Sequence, residues 1–372
     1  MIEFKAAVVC IFIGMMAWVS FGSSSQVWDV SVGDFPRLAG ETGDSARIQR
    51  AVAAAQAGGV VWFPRGEYQI DTMLEVTNRT SLLLHSSAHL AAVKPMPFVL
   101  RYEAKPRDLY AQEKFKPGEF NLFIRGGDFD GAGLASGVLV MGRWHFTLAD
   151  ATFRNGRKVG IQFGTDKART GWEIIASNLY CICDKPGLAG NVGLLTYVGD
   201  SHFTDIIVVD HTVGIRDVRW SNRYTRCHVW GGPVKKAGTN EPEYLPNSIA
   251  FDLAGNDCVL EDCYADTATI GFNVCNDARI LNCAYFNNPS FKLDNLTVFA
   301  HRHGSLVVTE GRFTKSAPHV TLYHREKRAG RLIWRDNQTF NFKKADMKEL
   351  NNELEKVGAR DASATSNAKF AG

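Results

Sequence analysis

The sequence predicts an all-β solenoid, a right-handed parallel β-helix closed at its N-terminal end by a capping helix. Three observations carry this. A short apolar motif recurs along the middle of the chain at intervals of 20 to 36 residues. A second strand-like motif follows most copies of the first. A single amphipathic segment precedes them all. Periods of this length mark repeat architectures. A chain of 372 residues fits one solenoid because each rung packs only on its neighbours.

The elements follow in chain order. Residues 1–22 read as an export signal: Lys5 gives a weak positive start, and Ala6 to Val19 is an apolar run of fourteen residues. That run is too short for a spanning helix of about 20 residues. Ser20-Phe21-Gly22 then supplies small residues for cleavage. The expected destination is secreted or periplasmic, with no membrane attachment after cleavage. A single β-helix domain is expected over residues 27–340, with a C-terminal helix and polar tail over 341–372. Asp44 to Ala57 is the capping helix. Asp44 or Ser45 is a good N-cap, Ile48, Val52 and Ala55 share one face, and Gly58-Gly59 stops it. Val60 to Phe63 and Tyr68 to Ile70 are strands about the turn Pro64-Arg65-Gly66. A cap suits an open solenoid end, where backbone groups lack partners.

The first repeat reads apolar, two variable positions, small or Cys, one variable, then large apolar. It spans 124–129, 148–153, 175–180, 203–208, 224–229, 260–265, 280–285 and 308–313. The second reads Gly160 to Phe163, Gly193 to Thr196, Gly214 to Asp217, Ser248 to Phe251, Gly271 to Val274, Thr297 to Ala300 and Thr321 to His324. Two strand types per period place each rung in at least two sheets. Cys227, Cys263 and Cys283 hold one position of three rungs, which predicts an inward ladder of buried thiols. Phe340 to Val357 is the expected C-terminal helix.

Composition narrows the function. A net charge of +3 on 42 basic and 39 acidic residues leaves no nucleic-acid footprint. Eight cysteines, seven after cleavage, do not form a full disulfide framework. Cys181 and Cys183 have no second close pair at zinc-ligand spacing, so no metal site is expected. Asn78, Asn295 and Asn337 begin Asn-x-Thr triplets.

The stretch Gly43-Asp-Ser-Ala-Arg-Ile-Gln-Arg-Ala-Val52, then Gly58-Gly-Val-Val-Trp-Phe-Pro-Arg-Gly-Glu-Tyr68, resembles the entry module of the pectate lyase superfamily. Ile124-Arg-Gly-Gly-Asp-Phe-Asp-Gly-Ala-Gly133 is similar to a Gly-Gly-x-x-Asp-Gly-x-Gly rung shared with polygalacturonase-like hydrolases. The resemblance covers about residues 29 to 325. It implies a parallel β-helix acting on carbohydrate, by chemistry that varies across lyases, hydrolases, epimerases, transferases and tailspike depolymerases. The polygalacturonase pattern of Asn-x-Asp, Asp-Asp, Gly-His-Gly and Arg-x-Lys is absent. There is no adjacent Asp pair, and His301-Arg-His303-Gly304 only faintly echoes Gly-His-Gly.

Strand alternation assigns the second repeat's faces. Ile161, Leu194, Ile215, Ile249, Phe272, Val298 and Leu322 are expected inward. Gln162, Leu195, Arg216, Ala250, Asn273, Phe299 and Tyr323 are expected outward. Two residues further on, Tyr197, Asp252, Cys275, His301 and Arg325 join them. Arg216, Asp252 and His301 are the candidate catalytic residues. Gln162, Tyr197, Asn273, Tyr323 and Arg325 are candidates for substrate binding. A polysaccharide is the expected partner, and a monomer the expected state. The preferred reading is a lyase cleaving a uronate polymer by β-elimination, with Arg216 on the carboxylate and His301 or Tyr197 moving the proton. Such a lyase needs a cation or metal at the enolate. The cofactor is not named by the sequence, and Ca²⁺ stays open as that ion. The rivals are a hydrolase or transferase pairing Asp252 with a turn carboxylate about 5–9.5 Å away, and a non-catalytic glycan-binding solenoid.

Overall fold

The computed structural model describes residues 28–354, apart from 57, 78, 104–120, 142, 168–170, 185–189, 232–233, 236–241, 244–247 and 289–294. The expected export signal, the far C-terminal tail and Asn78 therefore lie outside the described residues. The chain is a right-handed parallel β-helix. A 20-stranded and a 10-stranded sheet carry the rungs, and their strand pairs are parallel.

The ten-stranded sheet runs in chain order: β1 (Leu74–Val76), β2 (Phe98–Glu103), β3 (Ser136–Met141), β4 (Val159–Phe163), β5 (Val192–Thr196), β6 (Val213–Asp217), β7 (Ile249–Leu253), β8 (Ile270–Val274), β9 (Leu296–His301) and β10 (Val320–Arg325). The first repeat builds the larger sheet, bent within each rung at one residue of positive φ. Asp150, Asn178, Asp205, Arg226, Asp262, Asn282 and Glu310 occupy that bend with φ of 48° to 58°. Asp and Asn tolerate the left-handed region better than most residues, which explains their recurrence there.

The core is a set of side-chain columns. Phe251, Phe272 and Phe299 stack with ring centroids 5.5 and 5.0 Å apart. Cys227, Cys263 and Cys283 are buried and unpaired, forming the expected thiol ladder. The capping helix α1 (Ser45–Ala54) buries Ile48, Ala51 and Val52. Asp44 precedes it without bonding the helix amides. Its carboxylate instead takes Arg37, Arg47 and the Gln69 amide, tying cap to first rung. At the other end helical structure runs from Lys344 to Leu354, with Leu350 fully buried. Phe340 itself ends a strand.

Strict alternation fails in the smaller sheet. Position Gly160 and the next, Ile161, both face the core, because the strand turns a corner between them. A Cβ at Gly193 or Gly214 would lie 2.3 or 2.2 Å from Val208 or Val229 across the interior, while Leu194 and Ile215 beside them are fully buried. The residue before the corner faces out: Val159, Val192 and Val213 form a separate apolar cluster with Leu195, against which Ile249 packs. Ile249 is therefore outward and Ala250 inward, the reverse of expectation. In β9 and β10 the corner position holds Val298 and Leu322, so the glycine that anchors the reading frame is missing. The frame slips by one, and Phe299, His301, Tyr323 and Arg325 leave the outer face.

Candidate functional site

The corner column fixes one outward register with Cα partners Leu139, Gln162, Leu195, Arg216, Asp252, Asn273, Ala300 and His324. Three sequence candidates, Arg216, Asp252 and Asn273, thus stand on successive rungs. They are hydrogen-bonded in series. Arg216 Nε donates to Asp252 Oδ2 at 2.6 Å, and Asn273 Nδ2 donates to Asp252 Oδ1 at 2.7 Å. Arg302 Nε donates to Asn273 Oδ1 at 2.6 Å, and its fork also pairs with Glu326. Neighbouring rungs lie about 4.8 Å apart, so short side chains reach across them.

Exposure differs along this series. Asp252 is 8% exposed and Arg216 is 37% exposed. Both carboxylate oxygens of Asp252 are occupied, while the arginine presents the rest of its guanidinium to solvent. Arg302 and Glu326 are also part-exposed. Cys275 lies beside them and takes a bond from Asn273. Burial, then the Asp252 charge, raises its thiol pKa, which disfavours a thiolate nucleophile. Arg302 and Glu326 escaped sequence reasoning because they lie past the strand ends. Their signal was the opposite charge at matching positions of two successive rungs.

The other candidates separate. Gln162 faces out, and its amide donates to Gly164 O. It lines a concavity of about 600 Å³ with Ser136, Arg157 and Lys158. Tyr197 packs on the outer valine cluster at the rim of the strip. His301 is fully buried, not on the outer face. Its Nδ1 meets the Tyr323 hydroxyl at 2.8 Å and its Nε2 meets Gly304 O at 2.8 Å. Burial lowers its pKa and raises that of Tyr323 to about 12. Tyr323 is likewise inside. Arg325 turns back to the carbonyls of Ala329 and Gly330 and to Glu353, bracing the C-terminal end. Among the described residues no cluster of His, Cys, Asp and Glu could hold a metal ion.

Fold and strip together define a right-handed parallel β-helix with a polar ladder on the outer face of its smaller sheet. Solved structures agree with that fold. The protein ORF18 of Geobacillus virus E2 superposes with a TM-score of 0.57 at 16% identity, over 90% of this chain and 63% of that one. This chain thus spans less than two thirds of the viral protein. The A-module of a mannuronan C-5 epimerase from Azotobacter vinelandii also gives 0.57 at 16% identity, over 84% of this chain and 96% of that module. The enzymatically active domain of bacteriophage CBA120 tailspike protein 2 gives 0.52 at 10% identity, over 85% of this chain and 47% of that one. No protein-family profile and no curated protein matches the sequence.

Proposed function

We propose that this is an exported polysaccharide-degrading enzyme, a lyase that cleaves a uronate-containing polymer laid along the outer face of β4 to β10. The observation that carries the reading is the ladder Arg216–Asp252–Asn273–Arg302, which holds two guanidiniums in fixed positions on one outward strip. A guanidinium beside a uronate carboxylate neutralises it and acidifies the proton on the adjacent carbon. Loss of that proton forms the ring double bond as the bond to the leaving glycosidic oxygen breaks, and that oxygen takes up a proton. With His301 inside, Tyr197 is the sequence candidate left on this face to move protons. The mannuronan epimerase fold neighbour, by its name, works on a related polymer.

The test is incubation with uronate and neutral polysaccharides, reading ultraviolet absorbance of unsaturated ends together with new reducing ends. Both signals are expected on a uronate polymer. Arg216→Ala and Tyr197→Phe should each lower the rate about a hundredfold or more. Reducing ends without absorbance would replace the lyase by a hydrolase. One observation favours a second reading, a non-catalytic glycan-binding protein: Asp252 and Glu326 balance the two arginines within the ladder. Binding without either signal would select it.

A further inference from the structure

The larger sheet has an outer face of a different character. Beyond the bend in each rung, this face presents two outward columns. One runs Tyr180, Ile207, His228, Tyr264, and the other Ile182, Val209, Trp230, Asp266, Phe286. Between Tyr180 and Phe286 neither column holds a lysine or arginine. His228 and Tyr264 stack with ring centroids 4.8 Å apart and planes at 17°. Ile207 is 41% exposed, and Tyr180, Trp230, Tyr264 and Phe286 are half-buried. Aromatic rings spread over five rungs of an open β-face need an explanation that core packing does not supply.

Polar groups sit among the rings. Asp266 stands one rung beyond Trp230 in the same column. Asp210 follows Val209 directly, and Asp184 is close enough to interact with its charge. Asp210 Oδ1 and His228 Nε2 are both buried atoms without a hydrogen-bond partner, although His228 Nε2 lies 4.0 Å from Asp266 Oδ2. Two such orphans beside one aromatic strip are costly unless a ligand satisfies them.

We propose that this face is a second glycan-binding surface, for a polysaccharide of uncharged pyranose units. Ring faces stack on the apolar faces of sugars, and the Asp and His groups accept and donate to hydroxyls. Asp184 and Asp266, with no lysine or arginine in the columns between Tyr180 and Phe286, disfavour uronates, in contrast to the two arginines of the smaller sheet. The surface does not depend on the lyase reading, since it shares no residue with that strip.

Affinity electrophoresis of the full chain tests it, in gels carrying β-glucan, xylan, galactomannan or galactan, and in parallel gels carrying pectate or alginate. Retardation by at least one neutral polysaccharide is expected. Trp230→Ala and Tyr264→Ala should each weaken it about tenfold, the worth of one stacked ring. Ile207→Glu alters an exposed position and should do the same while leaving the melting temperature near that of the parent. Arg216→Ala should leave neutral-polysaccharide retardation unchanged and affect only the uronate gels. The proposal is overturned if no neutral polysaccharide retards the chain, or if retardation survives Ile207→Glu and Tyr264→Ala together.

Discussion

Asp210 closes the turn after the strand ending at Val209, with φ at 59°. Burial, and then the charge of Asp184, raises its carboxyl pKa to about 7. Its chain neighbour His211 points the other way, fully inside, with Nδ1 on Val209 O, and burial lowers its pKa to about 4. The adjacent pair is thus no dyad. The raised Asp210 value has a defined consequence for stability. The folded state prefers the protonated carboxyl more than the unfolded chain does. Its contribution is fully present below the unfolded value of 3.8 and is lost as pH rises through about 7. The gap between these values caps the loss at about 4 kcal/mol, and partial solvent access reduces it. Asp210→Asn should remove this dependence. Melting temperatures of parent and variant, compared from acid to mildly alkaline pH, should diverge in the variant's favour as pH rises. Parallel curves would show that Asp210 titrates alike in both states.

At the scale of the element, the corner of the smaller sheet decides both the core and the site. Gly160, Gly193, Gly214 and Gly271 line one column there, and the next residue is also inward. Gly214 illustrates the constraint: an added Cβ would lie 2.2 Å from Val229 Cγ1 and 2.7 Å from the Ala250 carbonyl. Gly214→Val should therefore destabilise by about 1–3 kcal/mol or more through overpacking. Because Arg216 lies two residues away, its bond to Asp252 should weaken too. Urea denaturation should show a lower midpoint, and a tolerated valine would mean the corner can open. The same column explains how far the sequence was legible. Where glycine marks the corner, as at Gly160, Gly193, Gly214 and Gly271, the outward assignment of Gln162, Leu195, Arg216 and Asn273 holds. Where Val298 and Leu322 replace it, a pattern of alternation has no anchor and places His301 and Tyr323 on the surface, although both are buried. Alternation has period two, so a slip of one residue exchanges the faces.

The whole molecule was legible for a different reason: repetition averages out local ambiguity. A frame slip of one residue at Ile175, whose place in the inward column belongs to Ala176, leaves the period intact and the fold unchanged. Hydrogen-bond partners such as Arg302 and Glu326 have no such redundancy, because they depend on where two turns project. A stack whose rungs touch only their neighbours should also unfold unevenly. Ile48, on the buried face of α1 at one end of the stack, is 1% exposed. Phe272 is fully buried mid-stack between Phe251 and Phe299. Ile48→Asp should strip the cap and lower amide-exchange protection in β1 and β2, leaving β6 to β9 close to the parent. Phe272→Ala removes a ring from the centre of the ladder and should cost about 3–5 kcal/mol. Its loss of protection should centre on β7 to β9 and extend along the stack, since both neighbouring rungs lose a contact. Hydrogen exchange followed by mass spectrometry separates the cases. A uniform loss across β1 to β10 in Ile48→Asp would show that the rungs unfold as one cooperative unit, and that the cap supports every rung equally.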